Sequence, residues 1–232
     1  MNEQIVYYGY TNTIERPHGM FYGKEPTVAI KEFLDDANEV GFLKCPSYKD
    51  YMKNVFAVGS WFDLKLNVET EGLSTNAPQE FLNNYIKTHS DKRKVYQMFQ
   101  TSMFIAEDAS LQMTQEHPSM SDNLFTKHCS IISGTFDIGQ YFRLISPAFF
   151  IKNGVDVVNI KENDTLFYLR FHTKKKIKFV PFFMSPKFEA LTRNCQKHTV
   201  GNTYKPLDFY YKVFKKKNLK KLIIKEIKKN LL

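Results

Sequence analysis

The stretch Ser130-Ile-Ile-Ser-Gly-Thr-Phe-Asp-Ile-Gly-Gln-Tyr-Phe-Arg-Leu-Ile-Ser-Pro-Ala-Phe-Phe-Ile151 decides how this chain is read. An apolar pair, Ile131 and Ile132, leads into Gly134-Thr-Phe-Asp137-Ile-Gly139, and a second apolar run follows from Tyr141 to Ile151. Two β-type runs about a Gly-x-x-Asp-x-Gly turn predict a hairpin or tight corner. The glycines supply backbone angles that other residues resist. The Asp carboxylate can accept backbone N–H groups there and shape the turn.

Outward from this corner the pattern stays β-like. Strands are predicted at Val95–Ile105, Ser110–Gln115, Val155–Ile160, Thr165–Thr173 and Lys176–Phe183, with earlier ones at Asn54–Val58 and Trp61–Val68. The links between them are polar: Glu116–Lys127 reads as a long loop, Lys161-Glu-Asn-Asp164 as a turn, and Lys174-Lys-Lys176 as a water-exposed hairpin turn. Short strands at roughly ten-residue spacing predict an antiparallel sandwich or open barrel. Short helices are expected at Ala29–Ala37, at Gln79–Ile86 and at Pro186–Cys195. The fold class is therefore mainly β, a β-rich α+β arrangement. Its predicted division is a β-rich domain over residues 1–204 and a Lys-rich amphipathic helical tail over 205–232.

Composition bounds what such a chain can be. Hydrophobic residues at 43% and aromatics at 15% are ample for a core and exclude wholesale disorder. No apolar run approaches the ~20 residues that span a bilayer. Met1-Asn-Glu-Gln shows no charged start leading into an apolar stretch, so no secretion signal is expected. Cys45, Cys129 and Cys195 lie far apart without CxxC spacing and are expected to be reduced thiols. The net charge of +9 is concentrated: residues 205–232 hold ten Lys against Asp208 and Glu226, a net of +8. The body is nearly neutral.

No phosphate loop, nucleophile elbow or zincin helix occurs, and no cofactor is expected. His89-Ser90-Asp91 has the spacing of part of an iron site, but its polar surroundings read as a solvated, helix-ending loop. Asp137 carries two readings. It is a turn-former, or it is a general base or ribose-hydroxyl acceptor on a rigid corner. Arg143 and Arg170 fall in apolar strands, so each lies at a sheet surface or pairs with a carboxylate, Asp137 and Asp164 being candidates. In the tail, apolar residues at 207, 210, 211 and 214, then at 219, 222, 223 and 227, have helical spacing. Asn218 stands between the two sets as a candidate cap. The candidate binding residues are Arg143, Arg170, Lys215, Lys216, Lys217, Lys220 and Lys221.

Two resemblances extend this reading. The order Gly134-Thr-Phe-Asp137-Ile-Gly139, strand, Val157 to Asp164, then Leu166-Phe-Tyr-Leu-Arg-Phe171 resembles the β-clip core of dUTP pyrophosphatases and dCTP deaminases. That likeness implies a β-clip-like open barrel with Asp137 beside a deoxyribose. The family's Gly-Arg-Ser-Ser phosphate motif is absent, His117-Pro-Ser-Met-Ser121 standing before the corner instead. Lysines also replace its Gly-rich C-terminal arm. The second likeness is to uncharacterised proteins of tailed bacteriophages, through Lys44-Cys-Pro46, Asn54-Val-Phe56, Trp61-Phe-Asp63, the Gly-x-x-Asp corner and Asp164-Thr-Leu-Phe-Tyr168. It implies a phage origin and no assigned activity.

Two functions follow as expectations. One is a phage-encoded binding or structural protein, with a protein partner or self-association, in the infected host's cytoplasm or the virion. The alternative is a nucleotide-binding or nucleotide-hydrolysing β-clip enzyme using Asp137. In both, the tail is expected to bury its apolar face against protein, leaving weak nonspecific attraction to nucleic acid or anionic surfaces.

Overall fold

The strands are β1 (Glu3–Tyr10), β2 (Gly23–Lys24), β3 (Val55–Gly59), β4 (Leu64–Glu69), β5 (Gly72–Thr75), β6 (Ile86–Ser90), β7 (Val95–Met98) and β8 (Met103–Ala106) in the first half. Then come β9 (Met113–Glu116), β10 (Cys129–Ile132), β11 (Gly134–Phe136), β12 (Arg143–Leu144), β13 (Ala148–Ile151), β14 (Val157–Ile160), β15 (Thr165–Phe171) and β16 (Lys176–Phe183). The helices are α1 (Pro46–Met52), α2 (Gln79–Tyr85), α3 (Leu124–His128), α4 (Pro186–Lys197), α5 (Leu207–Lys216) and α6 (Leu219–Ile227). This is a computed structural model describing residues 3–10, 23–24, 44–60, 62–98, 103–197 and 207–232. The helix expected at 29–37 lies outside the described residues.

Four sheets form: β12-β8-β1-β16, β10-β13-β7-β6, β11-β9-β15-β3-β2 and β14-β4-β5. Their pairings are antiparallel except for the parallel pair β1 and β16. The result is a β-sandwich-like α+β fold, and none of the sheets closes into a barrel.

Successive strand side chains point to opposite faces, and that period separates two cores. In β1, Val6 and Tyr8 enter the main core, while Ile5 and Tyr7 enter a second one. In β8, Phe104 and Ala106 join the main core, Met103 and Ile105 the second. β16 divides likewise, Ile177 and Phe179 against Val180 and Phe182. Residues of the other three sheets, such as Leu66, Phe149 and Leu169, complete the main core. Phe188 of α4, Phe214 of α5 and Ile223 and Ile227 of α6 complete the second. The first sheet is thus covered on both faces.

Double coverage erases the alternation that marks a half-buried strand. Val95–Ile105 reads as one strand but is two, β7 in the second sheet with alternating burial and β8 in the first with both faces buried. The same holds for Phe142–Ile151, which divides into β12 and β13. Ser130–Ile151 is consequently not a tight hairpin. β10 and β13 do pair, Cys129 opposite Ile151 and Ile132 opposite Ala148. Between them the chain leaves the sheet, gives β11 to the third sheet and β12 to the first, and returns. On the way Ile138 and Ile145 enter the main core and Tyr141 and Phe142 the second.

Other links also turn out to be corners between sheets. Lys174–Lys176 is no hairpin turn, because β15 and β16 belong to different sheets. Asn54 fixes that crossing: its Nδ2 donates to the Thr173 and Lys175 carbonyls at 2.8 Å each, and its Oδ1 accepts from the Ile177 N–H at 3.3 Å. Its backbone sits at φ 56°, a left-handed conformation that Asn tolerates. The polar stretch 116–127 holds the start of α3, capped by Asn123 at the Thr126 N–H. His89 lies on β6, not at a helix end, and its Nε2 is 3.0 Å from Gln97 Oε1.

Asn218 adopts φ 50° and offers α6 no side-chain cap bond, so it serves as a left-handed turn between α5 and α6. Beyond α6 the chain closes the sheet edge at β16. Phe183 N–H donates to Asn230 O at 2.9 Å and Leu232 N–H to Pro181 O at 3.3 Å. A strand residue's N–H and C=O point the same way, so Pro181 turns its missing donor outward, as an edge proline must.

Gly134 and Gly139 lack positive φ, so turn angles are not why they are glycine. At Gly139 the reason is space: a Cβ would stand 2.4 Å from Asp108 O and 2.7 Å from Ala109 C and O. The corner is pressed there by Gly139 N–H to Leu111 O and Ala106 N–H to Ile138 O, both 2.9 Å. At Gly134 the nearest atom to an added Cβ is Phe136 Cζ at an ordinary 3.6 Å. Gly139→Ala should therefore cost about 1–3 kcal/mol in urea denaturation. Gly134→Ala should stay within about 1 kcal/mol of the parent. Equal costs at the two positions would contradict the close-approach account.

Candidate functional site

The Asp137 corner and the last helix meet at one place. In α6, residues 219, 220, 223, 224 and 227 share a face by helical spacing. Ile223 and Ile227 on that face are fully buried, and Leu219 and Ile224 pack beside them. Lys220 shares the face, so its stem runs inward and its Nζ donates to Gly139 O at 2.6 Å and Glu107 O at 2.8 Å. Lys228 pairs with Glu107 Oε1 at 2.8 Å, and the Tyr7 hydroxyl donates to the same oxygen at 2.6 Å. Tyr141 of the corner packs on Tyr211 and Phe214 of α5, with ring centroids 4.5 and 4.9 Å apart.

The electrostatics follow from burial and these partners. Lys228, and then Tyr7, hold the Glu107 carboxyl below its ordinary value. Burial, reinforced by Glu107, pushes the Tyr7 phenol up. Burial raises Asp137, while the Gln140 N–H and the Lys220 ammonium pull it back. Asp137 Oδ1 is buried and has no hydrogen-bond partner among the described residues. Burial lowers Lys220 against the attraction of Asp108, Asp137 and Glu107. Chemically this is a junction of opposite charges in which each cation is already committed to oxygen ligands of the body.

Arg170 stands apart from the corner. It lies on β15, where Phe167, Leu169 and Phe171 face the main core and Tyr168 and Arg170 face α1. Its partner is neither Asp137 nor Asp164 but Glu116: Nη2 to Oε1 at 2.6 Å and Nε to Oε2 at 3.1 Å. The guanidinium also donates to Tyr51 O and sits 4.0 Å over the Tyr51 ring. Its donors are used by the fold. Asp164 instead closes its own turn, Oδ2 accepting from the Lys161 N–H at 2.9 Å. Arg143 lies on β12, and its side chain is outside the described residues.

The remaining candidate lysines point away from the body. Lys215, Lys216 and Lys217 follow one another at the end of α5, and Lys221 and Lys225 lie on the outer side of α6, all exposed. None of the five forms an ion pair or side-chain hydrogen bond among the described residues. Glu226, the acid of α6, is engaged by Lys229 and Lys187. The structure thus separates Lys220 from the lysines that flank it. Among the described residues no cluster of His, Cys, Asp and Glu could hold a metal ion, and no helix is long and apolar enough to cross a membrane.

Sequence reasoning missed Glu107, Lys228, Tyr7, Asn54 and Lys225. One signal was present for Lys220: it falls on the apolar side of its helix, at the spacing of Ile223 and Ile227. For Glu107 the partners are remote in sequence and nothing local marks them. Comparison with protein-family models, with curated proteins and with solved structures finds no match to this chain.

The depressed carboxyl of Glu107 gives a pH signature. A carboxyl held below its unfolded value stabilises the fold above its ordinary 4.5, and that stability is lost as pH falls through the folded value. Glu107 and Lys228 are partly solvated, so the contribution is at most about 1 kcal/mol. Glu107→Gln should lower Tm near neutral pH and flatten the fall in Tm below pH 4.5. Asp137, raised by burial, acts with the opposite sign, so Asp137→Asn should not reproduce this effect. An unaltered acid limb in Glu107→Gln would contradict a stabilising Glu107–Lys228 pair.

Proposed function

We propose that this chain is a phage-encoded binding or structural protein, acting through macromolecular contact and not through catalysis. The observation that carries the reading is the set of five exposed lysines at 215, 216, 217, 221 and 225, which form no ion pair or side-chain hydrogen bond among the described residues. They sit on two helices and the turn between them, α5 fixed to the β-body by Phe214 and α6 by Ile223, Ile227 and Lys220. A fixed array of cations attracts anions with little ordering cost, whereas the committed side chains of the corner offer no complete catalytic set. Lysine supplies point charges without the fork of arginine, and no arginine occurs in 205–232, so the contact is sequence-independent. A protein partner or self-association belongs to the same reading. The phage origin, and with it a place in the host cytoplasm or virion, rests on the sequence idioms around Lys44-Cys-Pro46 and the corner.

The test is fluorescence anisotropy with labelled heparin or duplex DNA at increasing salt. The parent should bind weakly, each engaged lysine adding about 0.9 to the logarithmic salt slope on DNA. Replacing the five lysines by Glu should abolish binding with Tm unchanged. Binding that survives the replacement would overturn the reading.

A second reading keeps Asp137 as a nucleotide contact, because its Oδ1 is buried with no hydrogen-bond partner among the described residues. Lys220 beside it, brought by the tail, weighs against an open nucleotide site. Thermal shift with dUTP or dCTP and Mg²⁺ decides: a ligand at 100 times its Kd stabilises by about 2.7 kcal/mol. The expected result is no shift, and a shift lost in Asp137→Asn would establish the nucleotide site.

A further inference from the structure

We propose that the outer face of α5 and α6 docks on an anionic lipid surface. This rests on the reading of that face as the contact surface and names its partner. Both helices bury their inner sides in one core: Tyr211 and Phe214 from α5, and Leu219, Ile223, Ile224 and Ile227 from α6. Their opposite sides therefore both face away from the body. Each of those sides combines lysine with one large apolar residue. On α5, Phe209 is 39% exposed, and Lys212 and Lys216 follow it by one and two helical turns. On α6, Leu222 is 49% exposed between Lys221 and Lys225.

The cations select an anionic partner, and the apolar residues decide which kind. An exposed leucine gains nothing from a phosphate backbone, where affinity comes from charge and from aromatic or arginine stacking. At a lipid headgroup boundary the same leucine can leave water while the lysines remain at the charged surface. Phe209, an aromatic, suits either surface, so the discrimination rests on Leu222. Four of the eight large hydrophobics exposed among the described residues lie in the last two helices and the chain end: Phe209, Leu222, Leu231 and Leu232. The left-handed turn at Asn218 joins the two helices, and both keep their inner sides in the core while their outer sides are exposed.

The experiment is co-sedimentation of the full chain with phosphatidylcholine vesicles, with and without phosphatidylserine, beside duplex-DNA binding in the same buffer. The expected result is sedimentation only with phosphatidylserine. Lys221→Glu with Lys225→Glu should weaken it about tenfold or more. Leu222→Ser should weaken it roughly fivefold while leaving DNA binding unchanged. Leu222 is exposed, so an unchanged Tm for that variant verifies the fold. DNA binding that depends on the lysines, with no sedimentation or no response to Leu222→Ser, would overturn the lipid assignment and leave the basic face intact. Absence of binding to both vesicles and DNA would overturn the lipid assignment and the proposed function together.

Discussion

Everything in this structure depends on the first sheet being covered on both faces. β8 shows the constraint most plainly: Met103, Phe104, Ile105 and Ala106 are all buried, so neither face of the strand meets water. The β-body can cover only one face. The other must be covered by helices, and α4, α5 and α6 supply Phe188, Phe214, Ile223 and Ile227 to it. A tail that looks like an appendage by charge is therefore part of the packing by hydrophobicity.

Magnitudes say which interaction holds the tail and which only aligns it. Burying Phe214, Ile223 and Ile227 contributes roughly 5–9 kcal/mol in all, an upper figure because the unfolded chain is itself partly collapsed. That is comparable with the whole net stability of an ordinary domain, about 5–15 kcal/mol. The partly solvated Lys228–Glu107 pair adds about 1 kcal/mol at most. Lys220 spends much of its gain on its own desolvation. The apolar contacts supply the affinity for the body. The polar ones choose the register, because only one placement of α6 brings Lys220 between the Gly139 and Glu107 carbonyls.

Much of the architecture was legible, and what was not has a common cause. β16 coincides with its predicted span, Lys176–Phe183, starting directly after the polar pair Lys174-Lys175. The tail helices were legible from spacing alone. The failures occur where one apolar run serves two sheets, as at 95–106 and 142–151. Gln100-Thr-Ser102 interrupts the first run and Ser146-Pro147 the second, but which distant strand lies alongside decides the sheet that each half joins. The corner's glycines do not supply the turn angles expected of them: Gly139 is demanded by the backbone of Asp108 and Ala109, and Gly134 by neither its φ nor a close approach. At the candidate site, Asp137 and the lysines could be named in advance, but the Glu107 pairing and the Arg170–Glu116 pairing could not. A side chain 54 or 100 positions away leaves no periodic trace.

Helical phase then does something composition cannot. The tail's lysines are chemically identical, yet a rotation of 100° per residue sends Lys220 into the body and its neighbour Lys221 into solvent. The inward lysine loses freedom and satisfies carbonyls at the corner. The outward ones keep their hydration and their charge, because Glu226, the acid within α6, is held by Lys229 and Lys187. An amphipathic helix of this length would be marginal alone in water, so its cationic face would have no fixed shape without the second core behind it. Packing against the sheet is what converts a run of lysines into a surface. The double coverage that stabilises β8 and the display of charge on the opposite side are thus one structural fact.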